Sequence, residues 1–256
     1  SSWYPDTYMY SIGGGIGIGL SIAKVCNCKI FSNRAYFGGG IGVSRAQVYL
    51  FGNEIFANNA ITSGGGLSGL GYNNLYIYFD AENKNSIYLN NASRGCDISY
   101  AFNNVPTSIY LNKGTINSLD QYFFFLPDQT PLYIDQPMME QVNYDLWVSP
   151  DGSNANTGFS PQSPLKNISF ALAKIQPIGN NPLTVHILPG SYSWHQTGEA
   201  LPLQPKSYVN LIGSDMENVI LDAEQYGTFI CGKDAQDYMN IKNIFFFKYF
   251  NRLLVL

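Results

Sequence analysis

The residues that could carry chemistry gather in the last third of the chain. Asp215, Asp222, Glu224, Asp234 and Asp237 are candidate carboxylates, and Lys206, Lys233 and Lys242 are candidate bases. Removing a proton beside a uronate carboxylate would need such a base, with a cation held by several carboxylates to take up the developing charge. Glycoside hydrolysis would need two acids at a set separation. The spacing writes neither arrangement, so no catalytic residue is assigned and solvated turn carboxylates are the expected role. Asp151, Asn154 and Asn156 bring oxygens into one short loop, but one carboxylate without EF-hand spacing fits an Asx turn better than a metal site. Calcium stays an open option; no metal ligand and no other cofactor is assigned. His186 is out of phase with its apolar neighbours and His195 follows Trp194 in an expected loop, so both are read as surface polar residues. Cys26 and Cys28, two apart, are expected on one face of a strand. Cys96 and Cys231 are remote, and without a Cys-x-x-Cys pair zinc is not expected.

The elements that must position these residues announce themselves by repetition. Gly13-Gly14-Gly15-Ile16 recurs as Gly38-Gly39-Gly40-Ile41 and Gly64-Gly65-Gly66-Leu67, at steps of 25 and 26 residues, the range of solenoid repeats. Between them Ile30-Phe31-Ser32-Asn33 matches Ile55-Phe56-Ala57-Asn58, and Ile87-Tyr88-Leu89-Asn90 arrives about seven residues late, which predicts an inserted loop. Alternating stretches such as Gln47–Leu50 and Leu75–Tyr78 predict short strands rather than helices. In a parallel β-helix each turn rises by one inter-strand spacing of roughly 4.8 Å. Ile30, Ile55 and Ile87 then form an interior column, and Asn33, Asn58 and Asn90 a stacked amide column at a turn, where Asn tolerates left-handed backbone.

The pairing of Phe-x-x-Asn, as in Phe56-Ala57-Asn58-Asn59, with Gly-Gly-x-Ile/Leu resembles the repeats of polymorphic outer membrane proteins within the pectin-lyase-like superfamily. The resemblance covers about residues 13 to 100 and departs at Arg34. It implies a right-handed β-helix displayed outside a bacterial cell, often in adhesins.

A second module opens near Asp145, after closing strands at Ile109–Leu111 and Tyr122–Phe125 and a Pro-rich stretch from Pro127 to Pro137. Residues 146–158 read as a strand and a polar loop. Ser163 is the expected N-cap and Pro164 the first helical position, followed by Leu165, Ile168, Leu172 and Ile175 at helical spacing. With Val185-His186-Ile187-Leu188-Pro189-Gly190-Ser191-Tyr192, this run resembles the opening of pectin-lyase-like β-helices, including a family of uncharacterised domains and several polysaccharide lyases, over about residues 145 to 225. The resemblance implies a capping helix over the open end of a second coil.

The expected fold is therefore all-β: two consecutive right-handed parallel β-helix segments, 1–136 and 145–256 with a linker at 137–144, and one short capping helix at about 164–176. The formal net charge is −4 and only 12% of residues are charged. Without a basic block, nucleic-acid binding is excluded. No run has the length of a transmembrane helix. Missing leader features and uncovered apolar strands at Ile244–Phe247 and Leu253–Leu256 read as a fragment of a longer protein. The functional expectation is a secreted or surface-displayed scaffold for adhesion or glycan binding, with exposed Tyr49, Tyr76 and Tyr78 meeting sugars. The alternative is a secreted polysaccharide lyase or glycoside hydrolase whose catalytic turns lie beyond this chain. Ligand identity, cysteine pairing and oligomeric state are not written in the sequence.

Overall fold

The computed structural model describes residues 11–71, 74–92, 95–100, 108–116, 122–124, 131–224, 229–230 and 239–247. Of the residues singled out above, Cys231, Lys233, Asp234 and Asp237 lie outside these, as do Phe125, Pro127 and the Leu253–Leu256 run. The chain forms two compact units, Ser1–Met138 and Met139–Leu256. Each is a stack of parallel strands, and the described residues contain two short helices. No described helix is long and apolar enough to cross a membrane.

In the first unit, β1 (Ile16–Gly19), β5 (Ile41–Ser44), β9 (Leu67–Leu70), β12 (Ile98–Tyr100) and β14 (Tyr122–Phe124) stack in that order. A second sheet stacks β2 (Ile22–Cys26), β6 (Gln47–Phe51) and β10 (Tyr76–Phe79). A third stacks β3 (Lys29–Phe31), β7 (Glu54–Phe56), β11 (Asn85–Tyr88), β13 (Ile109–Gly114) and β15 (Leu132–Pro137). A short pair, β4 (Arg34–Phe37) and β8 (Asn59–Ser63), completes the coil. Registers are those of the sequence repeat: Ile16 lies beside Ile41 and Ile41 beside Leu67, while Ile30 lies beside Ile55 and Ile55 beside Ile87. The latter column is buried throughout. Like apolar side chains from successive turns fill one continuous core, so burial rather than local propensity holds the strands in register.

Corners are turned by single left-handed residues. Ser32, Ala57 and Leu89 have φ between 51° and 56°. Each precedes a ladder asparagine, so the strained backbone sits one residue before the position expected for it. The amide is spent on the stack instead. Asn58 Oδ1 accepts from Asn33 N and Nδ2, and Asn90 Oδ1 accepts from Asn58 N and Nδ2, each at 3.0 Å. Asn58 Nδ2 also donates to the Ile30 and Phe56 carbonyls. A second, unforeseen ladder runs parallel: Asn85 Oδ1 accepts from Asn53 N and Nδ2, and Asn53 Oδ1 accepts from Cys28 N. Glycine is required beside the first ladder, because a Cβ on Gly66 would lie 2.7 Å from Asn90 Nδ2 and 2.6 Å from the Asp97 carbonyl oxygen. Replacing Asn58 by Ala strips acceptors and donors from buried partners. It is expected to cost about 3 kcal/mol, read as a lower urea midpoint for the first unit.

Cys26 and Cys28 do not share a face. Asn27 between them is left-handed at φ 53°, so β2 ends and the chain turns. Cys26 is exposed while Cys28 packs partly against the core.

In the second unit, β16 (Leu146–Val148), β17 (Leu183–Ile187), β19 (Val209–Gly213) and β21 (Ile241–Lys242) form one sheet. The other stacks β18 (Gly190–Tyr192), β20 (Val219–Asp222) and β22 (Phe245–Phe247). The helix α1 (Ile168–Lys174) buries Ile168, Ala171 and Leu172 against the core that Leu146, Val148 and Val185 build. It starts later than the Ser163-Pro164 pattern indicates. Leu165 is extended and bridges Val148, donating to the Trp147 carbonyl at 2.8 Å and accepting from Ser149 N at 2.9 Å. Its backbone is consumed by a sheet contact, so the N-cap falls to Asn167, whose side chain does not cap. A second helix, α2 (Trp194–Thr197), occupies the expected loop around His195.

Candidate functional site

Asp215, Asp222 and Lys206 are committed to local structure. Asp215 Oδ1 accepts from Glu217 N, Asn218 N and Asn218 Nδ2, an Asx turn. Asp222 Oδ1 accepts from Glu224 N at 2.8 Å. Lys206 Nζ donates to the Ala173 and Ile175 carbonyls, where it suits the negative end of α1. Lys242 is exposed on β21. In the 151–158 loop, Asn154 Oδ1 accepts from Lys166 N and Asn167 N, and Asn156 Nδ2 donates to the Pro164 carbonyl. These amides clamp the approach to α1 and leave Asp151 as the loop's one carboxylate. Among the described residues no three of His, Cys, Asp and Glu converge as a metal site would need.

Both histidines have partners. His186 stacks on Trp147 with centroids 4.3 Å apart, and its Nε2 is 3.3 Å from Asp145 Oδ2. His195 Nδ1 lies 2.5 Å from Glu224 Oε2, and Glu224 Oε1 accepts from His195 N. Partial burial pushes the Glu224 carboxyl up, but hydrogen bonds from Ser193 and His195 outweigh it and hold the group below its usual range.

Sequence reasoning missed Glu199. It is fully buried, and its two oxygens accept from Ile168 N at 2.7 Å and Ser169 N at 2.9 Å. Burial raises its carboxyl despite those bonds. Thus a carboxylate from a later turn holds the open amides at the start of α1, as Glu224 does for α2.

Two aromatic faces of the first unit differ in how far their groups are already satisfied. On the third sheet Phe31, Phe56 and Tyr88 stack at 5.3 Å intervals. Tyr88 OH donates to Glu54 Oε1 at 2.6 Å, Lys29 pairs with Glu54 at 3.4 Å, and Lys113 Nζ lies over the Tyr88 ring. The Tyr88 bond, followed by Lys29, holds Glu54 low against burial, while burial and then Glu54 push the Tyr88 phenol up to about 12. That network is closed upon itself.

The face of β2, β6 and β10 is open. Val48, Leu50 and Ile77 point inward, so strand alternation turns Gln47, Tyr49, Tyr76 and Tyr78 outward. Tyr76 and Tyr78 are 38% and 45% exposed, well above the 8% of Tyr88. Lys24, Tyr49 and Tyr78 form one column, and Ile22, Gln47 and Tyr76 the next. Tyr49 and Tyr78 lie 4.6 Å apart with planes 12° from parallel, a separation at which rings must overlap face to face. Tyr76 sits beside Tyr78 on the same strand at 6.4 Å. The faces that Tyr49 and Tyr78 share are closed to a ligand. Beside them the sheet presents the remaining ring surface of Tyr76 and Tyr78, phenol hydroxyls, the Gln47 amide and the Lys24 ammonium, which is in no ion pair among the described residues.

Comparison with known proteins reaches the second unit. No curated protein and no solved structure matches the chain. Residues 150–232 match the model of a family described as a protein of unknown function, DUF1565.

Proposed function

We propose that this chain is a noncatalytic β-solenoid of a secreted or surface-displayed bacterial protein that binds glycans through the tyrosine face of its first unit. The observation that carries the reading is the contrast between two aromatic clusters: Tyr88, beside Phe56 and Phe31, spends its hydroxyl on Glu54, whereas the β2, β6 and β10 face offers Tyr49, Tyr76, Tyr78, Gln47 and Lys24 together. Carbohydrates present vicinal hydroxyls next to apolar C–H patches, which suits phenol hydroxyls and an amide set among ring edges. Commitment of Asp215, Asp222 and Lys206 to turns and helix ends favours binding over lyase or hydrolase chemistry at those residues. The Gly-Gly-x-Ile and Phe-x-x-Asn repeats and the 145–225 segment support a place in the pectin-lyase-like superfamily, and with it an extracellular setting.

The test is a glycan panel screened against the full chain. Binding is expected, and Tyr76→Ala/Tyr78→Ala is expected to weaken it by about ten- to a hundredfold, at about 1 kcal/mol for each lost contact. Tyr76→Phe/Tyr78→Phe should lose part of that, since it removes only the hydroxyls. Failure to bind any member of the panel, or unaltered binding by the double alanine variant, would sink the reading.

A further inference from the structure

The asparagine ladder of the first unit ends on a buried carboxylate, and the route by which it arrives is unusual. The glycine motif has a fourth copy, Gly95-Cys96-Asp97-Ile98. Gly95 keeps the positive φ of Gly13, Gly38 and Gly64, and Ile98 pairs with Leu67. Asp97 therefore stands where Gly15, Gly40 and Gly66 stood, at the position that must otherwise stay empty for the ladder amide. Its side chain fills that place and becomes the last rung. Asp97 Oδ1 accepts from Asn90 N at 3.1 Å and Asn90 Nδ2 at 3.0 Å, and Oδ2 accepts from Thr115 N at 3.2 Å. The Thr115 hydroxyl donates to the same carboxylate while accepting from Leu89 N.

Three stretches meet at this carboxyl: the Leu89-Asn90 corner, the Gly95-Cys96-Asp97 corner that opens β12, and the Thr115 corner of the next turn. All its partners are neutral. Glu54, Tyr88 and Lys113, on the strands that lead to those corners, are engaged with one another. The adjacent Cys96 thiol is turned to the Ala92 carbonyl. No charge of either sign among the described residues acts on Asp97.

We propose that Asp97 is a proton-operated latch that ties the start of β12 and the following turn to the ladder and tightens on acidification. An arriving proton sits on Oδ2, and the Thr115 hydroxyl turns from donor to acceptor. An oxygen with two lone pairs can serve Leu89 N and the new O–H together, the hydroxyl giving up its own donated bond to the carboxylate in exchange. Oδ1 stays with Asn90, and Oδ2 retains a lone pair for Thr115 N. The ladder is thus preserved while the uncompensated buried charge is removed. Burial raises the Asp97 carboxyl from 3.8 to about 6, hydrogen bonds from Thr115 and Asn90 opposing it. A carboxyl raised in the folded state destabilises folding above its folded value and ceases to do so below its unfolded value. Stability of the first unit therefore rises as pH falls from about 6 toward 4, by roughly a hundredfold in the folding constant.

The test is carbon-detected carboxyl titration of the full chain, with Asp97→Asn assigning the signal. A midpoint near 6 is expected; one below about 4.5 overturns the proposal. Urea unfolding of the first unit at pH 4.5 and 7.5 should show a gain in acid about thirtyfold larger in the native chain than in Asp97→Asn, the opposing effect of Glu54 being common to both. Glu199 titrates in the same direction but is common to both chains, so the difference isolates Asp97. Should Asp97→Asn fail to fold, Thr115→Val serves. Losing a donor to the carboxylate should move the Asp97 midpoint upward, and an unmoved midpoint would also overturn the latch.

Discussion

Replacing Ile55 by Asp is expected to unfold the first unit as a block, with its protease resistance and β-sheet circular dichroism lost together. Ile55 is wholly buried between Ile30 and Ile87, and its neighbours above and below are apolar. A carboxylate there meets no partner and must either ionise in a low-dielectric column or take up a proton far above its usual range. Either outcome costs several kcal/mol, comparable with the whole stability of a domain. Ile55→Val trims one methyl group and should cost about 1 kcal/mol. A fold that tolerates Asp at this position does not stack these side chains.

Replacing Glu199 by Ala is the corresponding test of the second unit. It removes both acceptors from Ile168 N and Ser169 N, leaving one buried and one half-buried donor without these partners at the start of α1. A loss of about 3 kcal/mol is expected, read as faster amide exchange across Ile168–Lys174. Glu199→Gln keeps one acceptor oxygen and should lose about half as much. Burial raises this carboxyl, so the native chain gains stability as pH falls through the folded value, and Glu199→Gln should lose that gain. Unchanged exchange in the alanine variant would show that α1 is held by its apolar face alone.

Sequence periodicity revealed the columns because the same residue type returns at the same place: Ile at 30, 55 and 87, Asn at 33, 58 and 90. It revealed an insertion before Ile87 as a delay, but not that the extra residues fall on both sides of β10. Asp97 stands in a glycine position and reads as a lost repeat, although its carboxylate completes the ladder. The Asn53–Asn85 ladder escaped because its first rung is Cys28. The start of α1 was misplaced because Leu165 fits both a helical stripe and a sheet contact, and only the neighbouring Val148 decides between them. Glu199 was illegible because the amides it holds lie some thirty positions earlier. The outward tyrosines were legible from alternation alone. Their mutual stacking was not, and it closes the ring faces that Tyr49 and Tyr78 turn to each other.

Successive turns lie over one another in the register of the repeat. Gln47 and Tyr76 are neighbours across adjacent turns on the outer face, while Ile22 lies one turn further from Tyr76. Neighbouring parallel strands place such positions within the reach of a disulfide, and positions two strands apart beyond it. In a chain carrying Cys26→Ser and Cys28→Ser, mild oxidation of Gln47→Cys/Tyr76→Cys should form an intramolecular disulfide rapidly, and Ile22→Cys/Tyr76→Cys should not. Equal crosslinking of the two pairs, or none in the first, would contradict the stacked coil.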